Sequence, residues 1–321
     1  MTGVLADEIL AIRGVNKEDR QISVNTTHAA VWFGCIATVF LDGVDVVSMV
    51  KQGQLKSLLP DWERGWTDTP LKYRATGLYL TSDPEVWYSL YGSMNADLVL
   101  RSIGVDPLAP ISSNDEAAVH IAESTSKLSP EKMEVTNLLN GFCGSICFTP
   151  KQWRESEMGR SLSRHPLVNV KKQEQTMPTP PIAFPPLSSN DKRPLAGVKV
   201  VEMTRVIAGP EIGTILASYG ADVIRVNPPH LPDINIMQLS LNAGRSLGLP
   251  NNEAVLLSLP ISDMSTGVLG AVGAMLGLKR RATEGGSYYS YASLVGVNAY
   301  ALTEEVGLYP ESTVVECKQR F

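Results

Sequence analysis

Cysteine and histidine are scarce in this chain, and their spacing excludes several kinds of site. The 321 residues include 4 cysteines and 4 histidines. So few cysteines cannot form the disulfide framework of a small secreted domain, and no two of them make a CxxC pair. Cys143 and Cys147 are four residues apart, so on a helix they would lie on the same face. All four cysteines are best interpreted as reduced, mostly buried thiols. The histidines lack metal-ligand spacing, so we predict that the chain holds no metal.

Basic residues are fewer than acidic ones, and long apolar runs are missing. The formal net charge is −5, whereas a nucleic-acid-binding protein would present a basic face. The longest apolar run, residues 29–41, is shorter than the roughly 20 residues that cross a bilayer. The amino terminus lacks the basic segment of a secretory signal, and residues 318–321 are not a peroxisomal address. We predict a cytoplasmic protein that binds neither nucleic acid nor membrane.

A proline-rich stretch divides the chain into two parts. Residues 176–194 contain six prolines, interleaved with serine and asparagine. Such a segment lacks donors for helix or sheet and extends as a semi-rigid connector. We therefore predict a first module over residues 1–175, a linker over 176–194 and a second module over 195–321.

The first module is predicted to mix short helices and strands. A hairpin over residues 75–90 turns at Asp83-Pro84, and helices are expected over 96–103, 117–126 and 129–141. The last of these begins with a serine cap followed by proline and ends at a glycine, which is a typical helix start and stop.

The second module opens with a β-loop-α-β unit. The β-branched run Val198, Val200 and Val201 predicts a buried parallel strand. A small-residue loop over 204–209 follows and leads to Pro210, which suits the first turn of a helix. The helix is expected to bury one face, with members at 212, 215, 216 and 219.

The end of this helix and the following strand are also predicted. Gly220 suits a left-handed position after the last helical turn, and residues 221–226 predict a second strand. A strand, a small loop and a helix start bring backbone N–H groups together, which favours an anionic ligand. The loop lacks the GxGxxG pattern, and an ordinary βαβ packing unit would have the same geometry. Both interpretations stay open on the pattern alone.

The amino-acid sequence of this unit resembles sequences of a known family. Residues 194–226, PLAGVKVVEMTRVIAGPEIGTILASYGADVIRV, resemble the opening of the family III CoA-transferases, whose members include carboxylate CoA-transferases and an α-methylacyl-CoA racemase. Three segments of the first module, 73–83, 148–153 and 167–170, resemble the small domain of the same family. The order of the two modules resembles part of a duplicated member.

The resemblance implies a Rossmann-like parallel sheet that is incomplete in this chain. Only about 37 residues separate Val226 from the next family-like motif, where the family uses more than a hundred. Each added parallel strand needs a crossover of about a dozen residues or more, so two or three strands have no chain to form them. Skipped exons or a mistaken gene model would explain the gap. The predicted fold class is α/β: an incomplete parallel sheet, with a mixed α+β first half.

The next motif contains the candidate catalytic residue. Residues 259–267, LPISDMSTG, resemble the family's G-D-x-x-x-G turn, so the resemblance makes Asp263 the nucleophile of a transferase or an acid/base group of a racemase. It implies attack on an acyl-CoA and an aspartyl-CoA intermediate. Without the resemblance, an aspartate before a helix would be interpreted as an N-cap. Regularly spaced glycines in the helix that follows predict close approach of another backbone.

The resemblance also implies where the substrates bind. Val206 and Ile207 would line the adenine and ribose of coenzyme A through their backbone, and Arg205 and Arg225 are nearby cations suited to its phosphates. The substrates would be an acyl-CoA and a carboxylic acid, no metal is expected, and family members form interlocked homodimers. Three other hypotheses stay open: a racemase-like enzyme, an inactive fragment that associates with a partner, and a generic nucleotide-binding α/β protein.

Overall fold

The structure is a computed structural model, and it describes residues 1–16, 18, 20–35, 39–54, 65, 68–174, 177, 179–227, 230–234, 237, 260–303, 306 and 312. The shortened region between the two family-like motifs falls mostly in 238–259. That region, Cys317 and the terminal residues 318–321 lie outside the described residues, as do the predictions made for them.

Helices and short strands alternate along the described chain. The helices are α1 (Thr2–Ile12), α2 (Thr26–Trp32), α3 (Val46–Lys51), α4 (Pro70–Arg74), α5 (Ala96–Ser102), α6 (Asn114–Thr125), α7 (Pro130–Asn140), α8 (Pro150–Glu155), α9 (Glu157–Leu162), α10 (Ala208–Ser218), α11 (Ile261–Glu284) and α12 (Leu294–Ala301). The strands are β1 (Phe40–Leu41), β2 (Val44–Asp45), β3 (Gly77–Leu80), β4 (Trp87–Leu90), β5 (Ser145–Ile146), β6 (Asn169–Lys172), β7 (Lys199–Glu202), β8 (Asp222–Arg225) and β9 (Tyr288–Tyr291). This mixture confirms the predicted α/β class.

The first module has its own hydrophobic core around the predicted hairpin. β3 and β4 are antiparallel, with Gly77 opposite Leu90, and β5 adds to the other edge of β4. Helices α4 to α7 enclose buried side chains from both strands, including Tyr79 and Tyr88. The Ser129 hydroxyl caps α7, and Gly141 follows it at φ 69°. The predicted hairpin and helices are therefore confirmed.

The second module is built on the predicted β-loop-α-β unit. β7 and β8 are parallel, with Val200 opposite Val223, and α10 connects them. The apolar face of α10 packs against one face of this pair, and Leu216 is buried there. Gly220 adopts φ 101° just after the helix, as predicted. The strand, helix and parallel strand expected over residues 195–230 are confirmed.

Two elements of the first 175 residues pack against the second module, and we call the resulting unit the second body. Ala6 and Ile9 of α1 are buried in one cluster with Leu195, Leu216 and Met275. β6 pairs with β9 in an antiparallel two-stranded sheet. The linker boundary stays a prediction, but contacts from both ends of the first module cross it.

The outer face of the parallel pair differs from the prediction. Val201 is 68% exposed and Ile224 is 66% exposed, so the expectation that β7 is a fully buried strand is wrong for Val201. Alternate side chains of a strand face opposite sides. α10 covers one side, and among the described residues the other side has no comparable layer.

α11 is the central helix of the second body. It contacts α1, α10, α12 and β9. By length and composition alone it is the one helix of the described residues that is apolar enough to cross a membrane. A core helix passes the same test, and these four contacts identify α11 as one.

Truncating Ile9 should destabilise the second body. Ile9→Ala is expected to lower the free energy of unfolding by about 2–5 kcal/mol, because the side chain is fully buried between α1 and the core. Ile12→Ala is the matched control on the same helix. Ile12 is 41% exposed, so its truncation should cost about 0.5 kcal/mol or less. Equal losses in urea denaturation would show that α1 does not contribute to this core.

Candidate active site

The loop between β7 and α10 has an unusual backbone conformation. Val206 has φ 69°, in the left-handed region that β-branched residues rarely adopt. Ile207 is the N-cap of α10 and is 5% exposed. The two residues predicted to meet coenzyme A therefore lie at a helix start, where backbone N–H groups favour an anion.

The two predicted phosphate-binding arginines are both engaged with the protein. Arg205 donates from Nη1 to the carbonyl of Pro232 at 2.6 Å. The Arg225 side chain is 12% exposed and forms ion pairs with Glu202 at 3.3 Å and with Asp233 at 3.0 Å. Their assignment to coenzyme A phosphates stays a prediction, and a phosphate would have to compete with these contacts.

Asp263 lies in the first turn of α11, inside the helix. The N-cap is Pro260, and no side chain accepts a capping hydrogen bond there. The N-cap interpretation of Asp263 is therefore wrong. The Asp263 carboxyl instead accepts a hydrogen bond from its own backbone N–H within the first turn.

The start of α11 lies against the loop and the start of α10. Met264, the residue after Asp263, is fully buried in one cluster with Ile207 and Cys35. A Cβ atom added to Gly267 would come within 2.6 Å of the Glu211 Cβ. At Gly267 the predicted close approach of another backbone is confirmed, because the Ala208 carbonyl oxygen would lie 3.0 Å from such a Cβ, and this approach brings the start of α11 next to the loop. At Gly270 and Gly273 the nearest atoms belong to side chains instead.

The electrostatics around Asp263 involve a tyrosine from the first module. Burial raises the pKa of Asp263, and a backbone N–H partly opposes this shift. Burial also raises the pKa of Tyr91, and the Asp263 and Cys143 charges add to that shift. Tyr91, just after β4, is therefore within electrostatic range of the Asp263 carboxylate. No sequence pattern predicted this interaction, because the two residues belong to different modules.

An apolar groove begins beside Asp263. It has a volume of about 1370 Å³ and includes Ile261 and Ser265, on either side of Asp263 in the chain. α2, α10, α11 and α12 supply its mainly apolar lining, which includes Trp32, Phe33, Ile215, Val268, Leu269 and Tyr300. Asp263 itself does not line the groove.

Metal ions in proteins are bound by clusters of His, Cys, Asp and Glu side chains. Within the described ranges, no group of three or more His, Cys, Asp or Glu side chains could hold a metal ion. Cys143 and Cys147 are reduced and form no disulfide.

The burial of Asp263 predicts a pH-dependent stability. A carboxyl group with a raised pKa binds its proton more tightly in the folded state, so its effect on stability is most favourable at low pH. That stability is lost as the pH rises from about 4 through the folded-state pKa. Asp263→Asn should remove this decline and make the protein more stable than the wild type at neutral pH.

The measurement is urea denaturation at a series of pH values. Asp106→Asn changes an exposed carboxylate and should leave the decline in place. A wild-type and an Asp263→Asn protein with parallel pH profiles would show that the Asp263 carboxylate is not desolvated.

Comparison with known proteins connects this geometry to one family. The sequence profile of CoA-transferase family III matches residues 195–237, which span β7, the loop, α10 and β8. An acyl-CoA transferase of Gibberella moniliformis is 34% identical over 417 aligned positions, which cover 100% of this chain and 72% of that protein. No solved structure matches the chain.

Two further relatives have CoA transfer in their names. An acetyl-coenzyme A transferase of Hypoxylon pulicicidum is 27% identical, over 74% of this chain and 41% of the relative. A succinate–glutarate CoA-transferase of Agrobacterium fabrum is 55% identical over 40 residues, which are 12% of this chain.

The length of the first alignment bears on the predicted gap. It has 417 positions whereas the chain has 321 residues, so at least 96 positions of the alignment have no residue from this chain. The comparison does not locate these positions, but that many residues are enough to form several βα units. A relative aligned over the whole chain, together with the matched loop and helix, shows that this protein belongs to CoA-transferase family III.

Proposed function

We propose that this protein descends from acyl-CoA:carboxylate CoA-transferases that work through Asp263. The observation that supports this most directly is the position of Asp263 in the first turn of α11. The next residue, Met264, packs against Ile207 of the loop that matches the family profile. A partly buried carboxylate in the first turn of a helix, which is not itself the N-cap, is suited to nucleophilic attack on a bound thioester.

The proposed reaction exchanges the acyl partner of coenzyme A in balanced steps. An Asp263 oxygen attacks the thioester carbonyl and the C–S bond breaks. This step forms an aspartyl anhydride and releases the coenzyme A thiolate. The thiolate attacks the Asp263 carbonyl, which releases the first carboxylate and forms aspartyl-CoA. The acceptor carboxylate repeats these steps in reverse, and the thiolate finally takes the acceptor acyl group, which regenerates the Asp263 carboxylate.

Binding of the coenzyme A portion is assigned to the loop before α10. The backbone of Val206 and Ile207 would meet the adenine and ribose, and the start of α10 favours negative charge. Arg205 and Arg225 are the nearest predicted cations. The partly buried Asp263 would then face the thioester end, within electrostatic range of Tyr91.

The test is direct detection of the covalent intermediate. The protein is mixed with acetyl-CoA, quenched within one turnover and digested, and the peptide containing Asp263 is examined by mass spectrometry for added coenzyme A. Asp263→Asn should show no adduct, and Asp106→Asn should behave as the wild type does. An adduct on another residue, or none in a protein that transfers CoA, would overturn the assignment.

The same samples separate a transferase from a racemase-like enzyme. A transferase moves coenzyme A to an added carboxylic acid. A racemase instead exchanges the α-hydrogen of an α-methylacyl-CoA with deuterated water, without any transfer. Deuterium exchange without CoA transfer would favour the racemase-like alternative.

An inactive protein that associates with a partner is the second candidate. Two observations favour it: at least 96 alignment positions have no counterpart here, and Val201 and Ile224 form an exposed apolar face. An incomplete Rossmann-like sheet would leave such a face uncovered.

We further propose a cytoplasmic homodimer, which sedimentation of the purified chain and fractionation of cells would test.

A further inference from the structure

A buried carboxylate contacts the loop that leads into α10. The Asp233 side chain is 4% exposed. Its Oδ1 atom accepts hydrogen bonds from the backbone N–H groups of Val206 at 3.1 Å and of Ile234 at 2.9 Å. Its Oδ2 atom pairs with Arg225 Nη2 at 3.0 Å. A buried carboxylate needs such partners, and the set of three makes its position well defined.

Arg225 connects Asp233 to the end of β7. Its Nη2 atom also donates to the Thr204 carbonyl at 3.4 Å, and its Nε atom lies 3.3 Å from Glu202 Oε1. The Thr204 hydroxyl donates to the same glutamate at 2.8 Å. The loop backbone is therefore fixed on the Thr204 side by Arg225 and Glu202, and on the Val206 side by Asp233.

The residue between these contacts and α10 is strained. Val206 has φ 69°, and a β-branched residue keeps a left-handed conformation only where its surroundings over-determine it. The hydrogen bond to Asp233 is made by the Val206 N–H itself. Loss of that acceptor should allow Val206 to relax to a negative φ, which would turn the Val206 carbonyl and the Ile207 N–H in new directions.

We propose that Asp233 is a positioning residue, whose carboxylate, held by Arg225, keeps Val206 in its left-handed conformation and so sets the shape of the coenzyme A-binding loop. Asp233 does not touch the reacting atoms. Because its hydrogen bond occupies the Val206 N–H, the loop presents the Val206 carbonyl and the Ile207 backbone to the substrate. This inference rests on the proposed function for the ligand, but not for the loop conformation.

The first experiment measures the loop itself. Hydrogen exchange of the Val206 amide, followed by NMR in the full-length protein, should accelerate at least about tenfold in Asp233→Ala. Asp7→Asn is the control, because it breaks another short ion pair, with Arg20 at 2.7 Å, and should leave this amide unchanged. Unchanged exchange in Asp233→Ala would overturn the proposal.

A double-mutant cycle separates positioning from a general loss of stability. Glycine adopts φ near 69° without strain, so Val206→Gly should reduce the loss of stability that Asp233→Ala causes. Equal effects of Asp233→Ala in the valine and glycine backgrounds would show that Asp233 does not hold a strained Val206.

The last experiment measures coenzyme A binding by NMR titration, which reaches millimolar dissociation constants. Asp233→Asn keeps a similar shape and should weaken binding on the order of tenfold, as one lost charged interaction would. Asp7→Asn should bind as the wild type does. Unaltered affinity in a folded Asp233→Asn protein would overturn the positioning role. If the wild type does not bind, the proposed function fails, and the exchange and cycle results alone decide whether Asp233 positions Val206.

Discussion

Asp263→Ala is expected to lower CoA transfer at least about 10⁴-fold, because every intermediate of the proposed reaction is covalently bound to this carboxylate. Removing a nucleophile that acts as part of a unit has effects of this order or larger in other enzymes. The KM for the acyl-CoA should change little, since the loop proposed to bind coenzyme A stays intact. Steady-state kinetics with acetyl-CoA and a range of carboxylic acids measures both constants in the chimaera described below, because the 321-residue chain itself is expected to be nearly inactive.

Two further variants make this result specific. Asp263→Glu keeps the charge but moves the carboxylate by about one methylene, and a displacement of roughly 1 Å can cost on the order of 100-fold. Asp106→Asn removes a remote, exposed carboxylate and should have no effect. Full activity of Asp263→Ala would show that the conserved chemistry is carried by another group.

The second large effect is expected from chain length. We predict from the family resemblance that the middle region of the family supplies leucine, lysine and arginine contacts to coenzyme A, and that the at least 96 alignment positions without a residue from this chain fall in that region. Each lost charge-assisted hydrogen bond costs about 1.5–3 kcal/mol. Three such losses weaken binding by about three orders of magnitude or more. We therefore expect the 321-residue chain to be nearly inactive and to bind acyl-CoA weakly.

The comparison protein is a chimaera. In it, the segment of the Gibberella relative between the counterparts of β8 and of the Asp263 motif replaces residues 238–259, and acetyl-CoA binding is measured by calorimetry in both proteins. The chimaera should bind at least about 1000-fold more tightly, and the same chimaera with Asp263→Ala should bind equally well. Tight binding and rapid transfer by the 321-residue chain itself, abolished by Asp263→Ala, would contradict this expectation.

The exposed face of the parallel pair gives a physical reason for the same expectation. Val201 and Ile224 lie on neighbouring strands and are both more than half exposed. Parallel sheets are normally covered on both faces. The extra positions of the relative are numerous enough to form several further βα units, and the chimaera should therefore also be less prone to associate.

Local structure was determined by the sequence itself. Proline and a capping serine start α7, Gly141 ends it, and Gly220 follows α10. Each of these signals acts over a few residues, through backbone dihedral preferences and hydrogen bonds near the helix ends, so a single sequence is enough to reveal it. The sequence alone also indicated the family, because the residues of the β-loop-α-β unit that resemble it form one continuous segment of the chain.

The tertiary structure decided which distant residues meet at the site. It joined Ile9 to the second core, brought Tyr91 within electrostatic range of Asp263, and paired Asp233 with Val206, which is 27 positions away. It also left Val201 exposed, although its β-branched neighbours predicted burial. No spacing rule covers such contacts, since they depend on how separate elements pack, and burial depends on what covers a strand as much as on the strand's own residues.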